Sequence, residues 1–159
     1  MQKEIYRVVI PDPLDYVVTG TKVSKKTGKV SEKRSYTSAN VFFGGVHFKV
    51  REKIVTTCKT FLYPYLKDCP VLSDPPYSLV LQYCRKEPID VDNKCYFWNK
   101  LIQDILAPGP TAKQNDLIAS QIRLVRKLEN DNSRYIDCLG WEYYCEEKHT
   151  MEILILKNV

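Results

Sequence analysis

Long hydrophobic runs are missing from this 159-residue sequence, in which the longest unbroken apolar runs have four residues, as in Ile153 to Leu156. A helix that crosses a membrane needs roughly 20 such residues, so no membrane association is expected. The N-terminal stretch has neither the continuous apolar segment nor the small-residue cleavage site of a secretory signal. These absences favour a cytoplasmic protein.

Several sequence motifs that would indicate an enzyme class are also missing. There is no G-x-S-x-G motif, and the two histidines, His47 and His149, have no triad context, so acyl-transfer chemistry has no support. The glycine-rich loops that hold nucleotide phosphates are absent as well. Six cysteines are present without a C-x-x-C motif, which predicts reduced thiols and no structural zinc site.

The composition is that of one globular domain spanning residues 1–159, with 44% hydrophobic and 27% charged residues. The net charge of +5 is concentrated between Thr19 and Ser35, where six basic residues stand against Glu32 alone. Such a field is typical of a surface that binds a polyanion, although a solvated loop would show the same pattern. The six are Lys22, Lys25, Lys26, Lys29, Lys33 and Arg34.

Hydrophobic periodicity predicts an α+β fold, a small mixed β-sheet with two main α-helices packed on it. β-Branched and aromatic runs predict strands at 5–10, 77–84, 134–145 and 151–156. Apolar residues spaced by three and four predict a helix over about 47–67 and a second one through Trp98, Leu101, Ile102 and Ile105, which the Ala107-Pro108-Gly109-Pro110 run ends.

Two segments extend this plan. The polar stretch at about 19–40 is predicted to be a flexible excursion or a basic hairpin that turns near Thr27 and Gly28. Residues 116–128 carry Leu117, Leu124 and Leu128 on one helical face, which predicts a helical insert at about 111–127.

The motif that carries chemistry is Ile89-Asp90-Val91-Asp92-Asn93, between an apolar strand and an amphipathic helix. In extended backbone, residues i and i+2 point to the same side, so Asp90 and Asp92 present two carboxylates together. Two hard oxygen ligands suit Mg²⁺, which supports phosphodiester hydrolysis. The structural alternative is that Asp92 caps the helix and Asp90 lies in a turn.

A third acid would strengthen the metal interpretation, and two candidates follow in the sequence. Asp116 stands at the predicted start of the helical insert, and Asp131 stands just before the strand that begins near Tyr135. Each also has a structural alternative, because Asp116 can cap a helix and Asp131 can occupy a turn.

The order of these elements resembles the RusA family of Holliday-junction resolvases, which are small dimeric Mg²⁺-dependent endonucleases often carried by phages. Ile5 to Pro13 resembles the family's first strand and loop, and Ile89 to Asn93 its acidic motif. Asn130-Asp131, followed by two closing strands, reproduces the order of the later acidic pair. The resemblance implies that Asp90, Asp92 and Asp131 are the catalytic, metal-binding acids, with Mg²⁺ as cofactor and Mn²⁺ as a substitute.

The sequence departs from the family at three places. Tyr96 stands where members often have a lysine, Asn130 replaces one carboxylate, and the two inserts lengthen the chain. The resemblance implies a homodimer that cuts four-way DNA junctions in recombination and repair. Arg85, Lys86, Lys94 and Lys100, together with the six basic residues of the insert, would hold DNA phosphates.

Two other functions stay open at this point. The chain can be a related nuclease that prefers flaps or other branched DNA, or a non-catalytic nucleic-acid-binding module whose acids are only caps. A Mg²⁺-dependent cleavage assay separates the enzymes from the binding module.

Overall fold

The computed structural model describes residues 1–87, 93–108, 127–129, 134–144 and 147–159. Its strands are β1 (Gln2–Pro11), β2 (Tyr16–Val23), β3 (Val30–Tyr36), β4 (Tyr77–Arg85), β5 (Ile136–Tyr144) and β6 (Thr150–Asn158). Its helices are α1 (Asn40–Phe43), α2 (Phe48–Leu66) and α3 (Asn93–Leu106). Among the described helices, none is long and apolar enough to cross a membrane.

Four strands form a mixed sheet in the order β1-β6-β4-β5. β6 pairs antiparallel with both β1 and β4, and β4 pairs in parallel with β5. The predicted α+β class, with a mixed sheet and two main helices, is confirmed. Although β5 and β6 are neighbours in sequence, they do not pair with each other, because β4 lies between them.

The core lies between the sheet and the two long helices. Leu79, Leu81 and Tyr83 alternate along β4 and face a cluster that includes Leu62 of α2 and Trp98 of α3, all of them fully buried. β4 has partners on both edges and is buried along nearly its whole length, which explains its almost continuous apolar sequence.

The basic segment forms a two-stranded hairpin, so the hairpin alternative describes it better than a flexible excursion. β2 and β3 pair antiparallel from Tyr16↔Tyr36 to Val23↔Val30. The turn is closed by the Ser24 N–H, which donates to the Lys29 carbonyl at 2.9 Å. Gly28 adopts a φ of +63°, a left-handed conformation that favours glycine.

The predictions for the helices have different outcomes. α2 and α3 lie where the periodicity placed them, and Pro64 falls within the last turn of α2, which ends at Leu66. The predicted helix at 116–128 falls mostly on residues outside the described part of the chain. Its last two residues, Lys127 and Leu128, are not helical, because both backbone N–H groups donate to the Leu106 carbonyl at the end of α3.

Candidate functional site

The acids singled out in the sequence fall outside the described residues. This holds for Asp90 and Asp92, for Asp131 and for the other candidate, Asp116. The described residues on either side of the Asp90-Val91-Asp92 motif are the end of β4 and the start of α3. A cluster of polar side chains lies there.

Lys94, in the first turn of α3, is the centre of this cluster and is only 4% exposed. Its Nζ donates to Thr37 Oγ1 at 2.8 Å and to the Asp15 carbonyl at 3.1 Å, and lies 3.4 Å from Asp15 Oδ1. A buried ammonium group is tolerated only when its charge and its protons have partners. Lys94 is therefore held in place by the protein.

The Asp15 carboxylate attracts three basic side chains. Besides Lys94, Arg85 Nη2 lies 3.6 Å from Oδ1, and His149 Nε2 lies 3.7 Å from Oδ2. The Tyr83 hydroxyl donates to Asp15 Oδ1 at 3.4 Å and lies 3.1 Å from His149 Nε2. We call this set the Asp15 cluster. Its members are Asp15, Thr37, Tyr83, Arg85, Lys94 and His149.

The local sequence explains why Asp15 and Thr37 lie side by side. The chain leaves β1 at Pro11 and turns at Asp12, whose φ of 45° and hydrogen bond to the His149 carbonyl hold the turn. Thr37 closes the base of the hairpin, since its N–H donates to the Asp15 carbonyl at 2.9 Å and its hydroxyl to the Leu14 carbonyl at 2.7 Å.

The cluster carries a surplus of positive charge. Arg85 and Lys94 are cations, and Asp15 is the one carboxylate in the cluster. Burial lowers the pKa of His149 more than the Asp15 carboxylate raises it, so the imidazole is neutral at pH 7. Within the cluster, two cations thus share one carboxylate where β4 ends and α3 begins, at the two ends of the connection that contains Asp90 and Asp92.

The described residues that flank Asp131 lie at the other end of α3. The N–H groups of Lys127 and Leu128 donate to the Leu106 carbonyl at the end of α3, and Glu129 comes next in the chain. On the other side of Asp131, the Tyr135 carbonyl accepts a hydrogen bond from the N–H of Tyr77, the first residue of β4. The 14 residues of α3 separate its two ends by about 20 Å. Glu129, the last described residue before Asp131, therefore follows the end of α3 that is remote from Asn93.

The basic residues of the hairpin are all exposed and lie in three places: the turn and the two faces of the strands. Lys25, Lys26 and Lys29 occupy the turn, while Lys22 and Lys33 lie on one face of the two strands. Arg34 lies on the opposite face, with its guanidinium carbon 4.3 Å from the centre of the Tyr16 ring.

The four other basic residues predicted to bind phosphates differ in exposure and in their partners. Lys86 is exposed at the end of β4, and Arg85 is mostly buried against Asp15. Lys94 is buried, so its role in this structure is to join elements, and direct contact with a phosphate would require it to leave its partners. Lys100 is paired with Asp104, one turn along α3, at 2.7 Å.

The described residues contain no group of three or more metal-ligating side chains. Asp15, the carboxylate of the Asp15 cluster, is occupied by Lys94 and Arg85. A hard cation would therefore depend on Asp90 and Asp92, whose oxygen donors suit Mg²⁺ by their chemistry.

Most of the Asp15 cluster was not predicted from the sequence, although the sequence contains one signal of it. Lys94 lies four residues before Trp98 and seven before Leu101, so it shares the apolar face of α3. A lysine on that face predicts a buried cation that needs a carboxylate. Asp15, 79 residues away in the chain, could not be identified as its partner from the sequence.

No family model matches this chain, and no curated protein or solved structure is significantly similar to it.

Proposed function

We propose that this protein is a Mg²⁺-dependent, structure-selective endonuclease that hydrolyses phosphodiesters in four-way DNA junctions and acts as a homodimer. The proposal rests on the acidic motif and its resemblance to the RusA family, together with the surroundings of that motif. A four-way junction needs two cuts in opposed strands, and a two-fold dimer supplies two related sites.

One structural observation carries the proposal. The hydrogen bonds of Lys94 to Asp15 and Thr37 attach the base of the basic hairpin to the first turn of α3. The hairpin that we expect to bind phosphates is thereby fixed to the helix that follows Asp92. In this proposal, the hairpin that has affinity for a polyanion is attached to the helix that follows the two metal-binding carboxylates, a combination that suits a metal-dependent nuclease.

The residues have separate roles in this proposal. Asp90 and Asp92 would hold the cation, which when bound activates water and stabilises the leaving oxygen. Lys86 and the lysines of the hairpin bind phosphates, and their number sets the salt dependence of binding. Arg85 and Lys94 supply positive charge that lowers the repulsion between the two carboxylates, and Asp15 holds both cations in place.

The identity of the third acid is part of the test. The resemblance assigns it to Asp131, but the described residues around Asp131 lie at the far end of α3. Asp116 belongs to an 18-residue stretch, 109–126, which is long enough to reach either end of the helix. The functional experiment therefore includes both.

The experiment is a cleavage assay on a synthetic four-way junction, with and without Mg²⁺. We expect Asp90→Asn and Asp92→Asn to abolish cleavage while junction binding and thermal stability are retained, because each removes a ligand charge and leaves a near-isosteric amide. Asp68→Asn, at an exposed position, is the matched control and should cleave normally.

The other outcomes are equally informative. Of Asp116→Asn and Asp131→Asn, the one that loses cleavage identifies the third acid. If the wild type binds junctions without Mg²⁺-dependent cleavage, the protein is a binding module. Normal cleavage by both Asp90→Asn and Asp92→Asn would remove the catalytic site from this motif.

A further inference from the structure

Two aromatic rings form an exposed surface beside the start of α3. Phe43, the last residue of α1, is 70% exposed, and Tyr96, in the first turn of α3, is 44% exposed. Their ring centroids lie 5.3 Å apart. Phe42 supports them from below, with its ring 6.4 Å from Tyr96 and 5.6 Å from the fully buried Phe97. We call Phe42, Phe43 and Tyr96 the aromatic patch.

The patch is held rigidly in its exposed position. The Ala39 N–H donates to both the carbonyl and the side-chain oxygen of Asn93, which fixes α1 to the start of α3. After Phe43, the Gly44 N–H donates to the Asn40 carbonyl at 2.7 Å. A Cβ at Gly44 would meet that same oxygen at 2.7 Å, so the chain turns away there in a conformation that admits only glycine without rearrangement.

The size of the patch indicates the kind of partner that covers it. At about 200 Å² per aromatic side chain, the exposed fractions of Phe43 and Tyr96 leave about 230 Å² of ring surface. A stable interface between two proteins buries about 800 Å² on each side. The patch alone is therefore too small to hold a second copy of the chain, but it matches one or two planar rings.

The position of the patch favours a nucleic-acid base. Tyr96 lies three residues after Asn93, and therefore four after Asp92, while Lys100 follows one turn along the same side of α3. An aromatic surface next to cations is how proteins hold unpaired bases, because every base has a face that can stack. Fully paired duplex offers no such face away from its ends.

We propose that the aromatic patch stacks against a base whose face is exposed at the branch point of the DNA, where the stacking of base pairs is interrupted, and so distinguishes branched from linear DNA. This inference rests on the proposed function and adds to it the group by which the branch is recognised. The basic hairpin supplies affinity for both kinds of DNA, and the patch adds affinity only where a base is free.

The test measures binding without divalent metal, so that cleavage plays no part. Phe43→Ala and Tyr96→Ala should each weaken binding to a four-way junction by about 5- to 150-fold, the range expected when one stacked base is lost. Binding to linear duplex should change less than twofold. Phe48→Ala, which removes another exposed aromatic outside the patch, is the matched control and should bind both DNAs normally.

A second substrate closes a thermodynamic cycle. A junction with abasic sites at the branch keeps its phosphates but has no base to stack, so the wild type should bind it as weakly as Phe43→Ala binds the intact junction. Combining the variant with the abasic junction should add little further loss. Tyr96→Phe, which keeps the ring, should retain the preference and shows that the alanine effect is not misfolding.

Three results would overturn the inference. Equal losses on junction and duplex would make the patch part of general DNA binding. Additive losses in the cycle would separate the patch from the bases. A change of oligomeric state in Phe43→Ala, measured by sedimentation, would assign the patch to the dimer interface. If the wild type cleaves junctions but the alanine variants bind them normally, the stacking proposal fails and the proposed nuclease stands. If the wild type does not cleave junctions but loses its preference for branched DNA in the alanine variants, the nuclease proposal fails and the stacking proposal stands.

Discussion

Asp15→Asn is the substitution that most directly tests how the hairpin is attached to α3. It leaves the shape of the side chain almost unchanged, but it removes the negative charge that Lys94 and Arg85 share. Lys94 would keep its bonds to Thr37 and to the Asp15 carbonyl, yet its buried charge would lose the Asp15 carboxylate as a counter-ion.

The expected loss follows from burial. Removing one partner of a fully buried ion pair costs about 3 to 5 kcal/mol. Lys94 is almost completely buried, but the Asp15 side chain is 27% exposed, so water screens part of the interaction. We expect a loss of about 2 kcal/mol in the free energy of unfolding. Glu32→Gln, in the exposed pair with Arg34, is the matched control and should lose less than about 0.5 kcal/mol.

Urea unfolding monitored by the fluorescence of the tryptophans, including the buried Trp98, measures both values, with an unchanged dependence on urea as the check on the folded state. Replacing Lys94 by Met in the Asp15→Asn background should recover at least about 1 kcal/mol, because the buried charge that the Asp15 carboxylate had neutralised is then gone. If Asp15→Asn loses no more than Glu32→Gln, or if the second substitution recovers nothing, Lys94 does not depend on Asp15 for its charge balance.

Three further predictions concern other parts of the molecule. Changing Lys25, Lys26, Lys33 and Arg34 together to Ala should weaken binding to branched and linear DNA alike and reduce the slope of log affinity against log salt by up to about 3.6. The free energy of unfolding should change by no more than about 1 kcal/mol, because the four side chains are exposed. An unchanged slope in a salt titration would make the hairpin a solvated surface. Burial lowers the pKa of His149 in the folded protein, so the unfolded chain takes up a proton first as the pH falls below about 6.5. The free energy of unfolding should therefore decrease from that pH until the pH passes the lower folded pKa. His149→Gln should flatten this decrease in unfolding curves measured at pH 5 to 7. Burial raises the pKa of Cys58 to about 12 and that of Cys69 to about 11, so neither thiol should be alkylated in the folded protein at pH 8. Alkylation after unfolding without a reductant should modify all six thiols, which mass measurement counts.

Local patterns in the sequence predicted the individual elements well, because those patterns reflect burial within one element. The apolar run of β4 and the spacing of Trp98, Leu101 and Ile105 in α3 are examples. Strand order could not be predicted in this way. Nothing in Ile136–Tyr144 or Thr150–Asn158 indicates that β4 separates them, since pairing depends on contacts between residues far apart in the chain.

In the candidate site, too, local patterns could be predicted from the sequence, whereas contacts between distant residues could not. The acidic motif is a local pattern and was identified from five consecutive residues. Lys94 was predicted to bind phosphate because it stands near the acids in the sequence, whereas its place on the apolar face of α3 puts it in the interior. Its carboxylate partner lies beyond β1, and only the folded chain brings the two together.

The position of β6 has a consequence for how the protein is made. β6 fills the space between β1 and β4, yet it is the last strand of the described chain. At 5 to 20 residues per second, a ribosome needs about 7 to 30 s to advance from Pro11 to Thr150. Throughout that interval β1 has no strand to pair with, and β4 lacks a partner on the edge that β6 will cover. The hairpin and α2 can form early from local contacts, but the sheet closes only after synthesis of β6, so the nascent chain depends on protection of the apolar β4 until then.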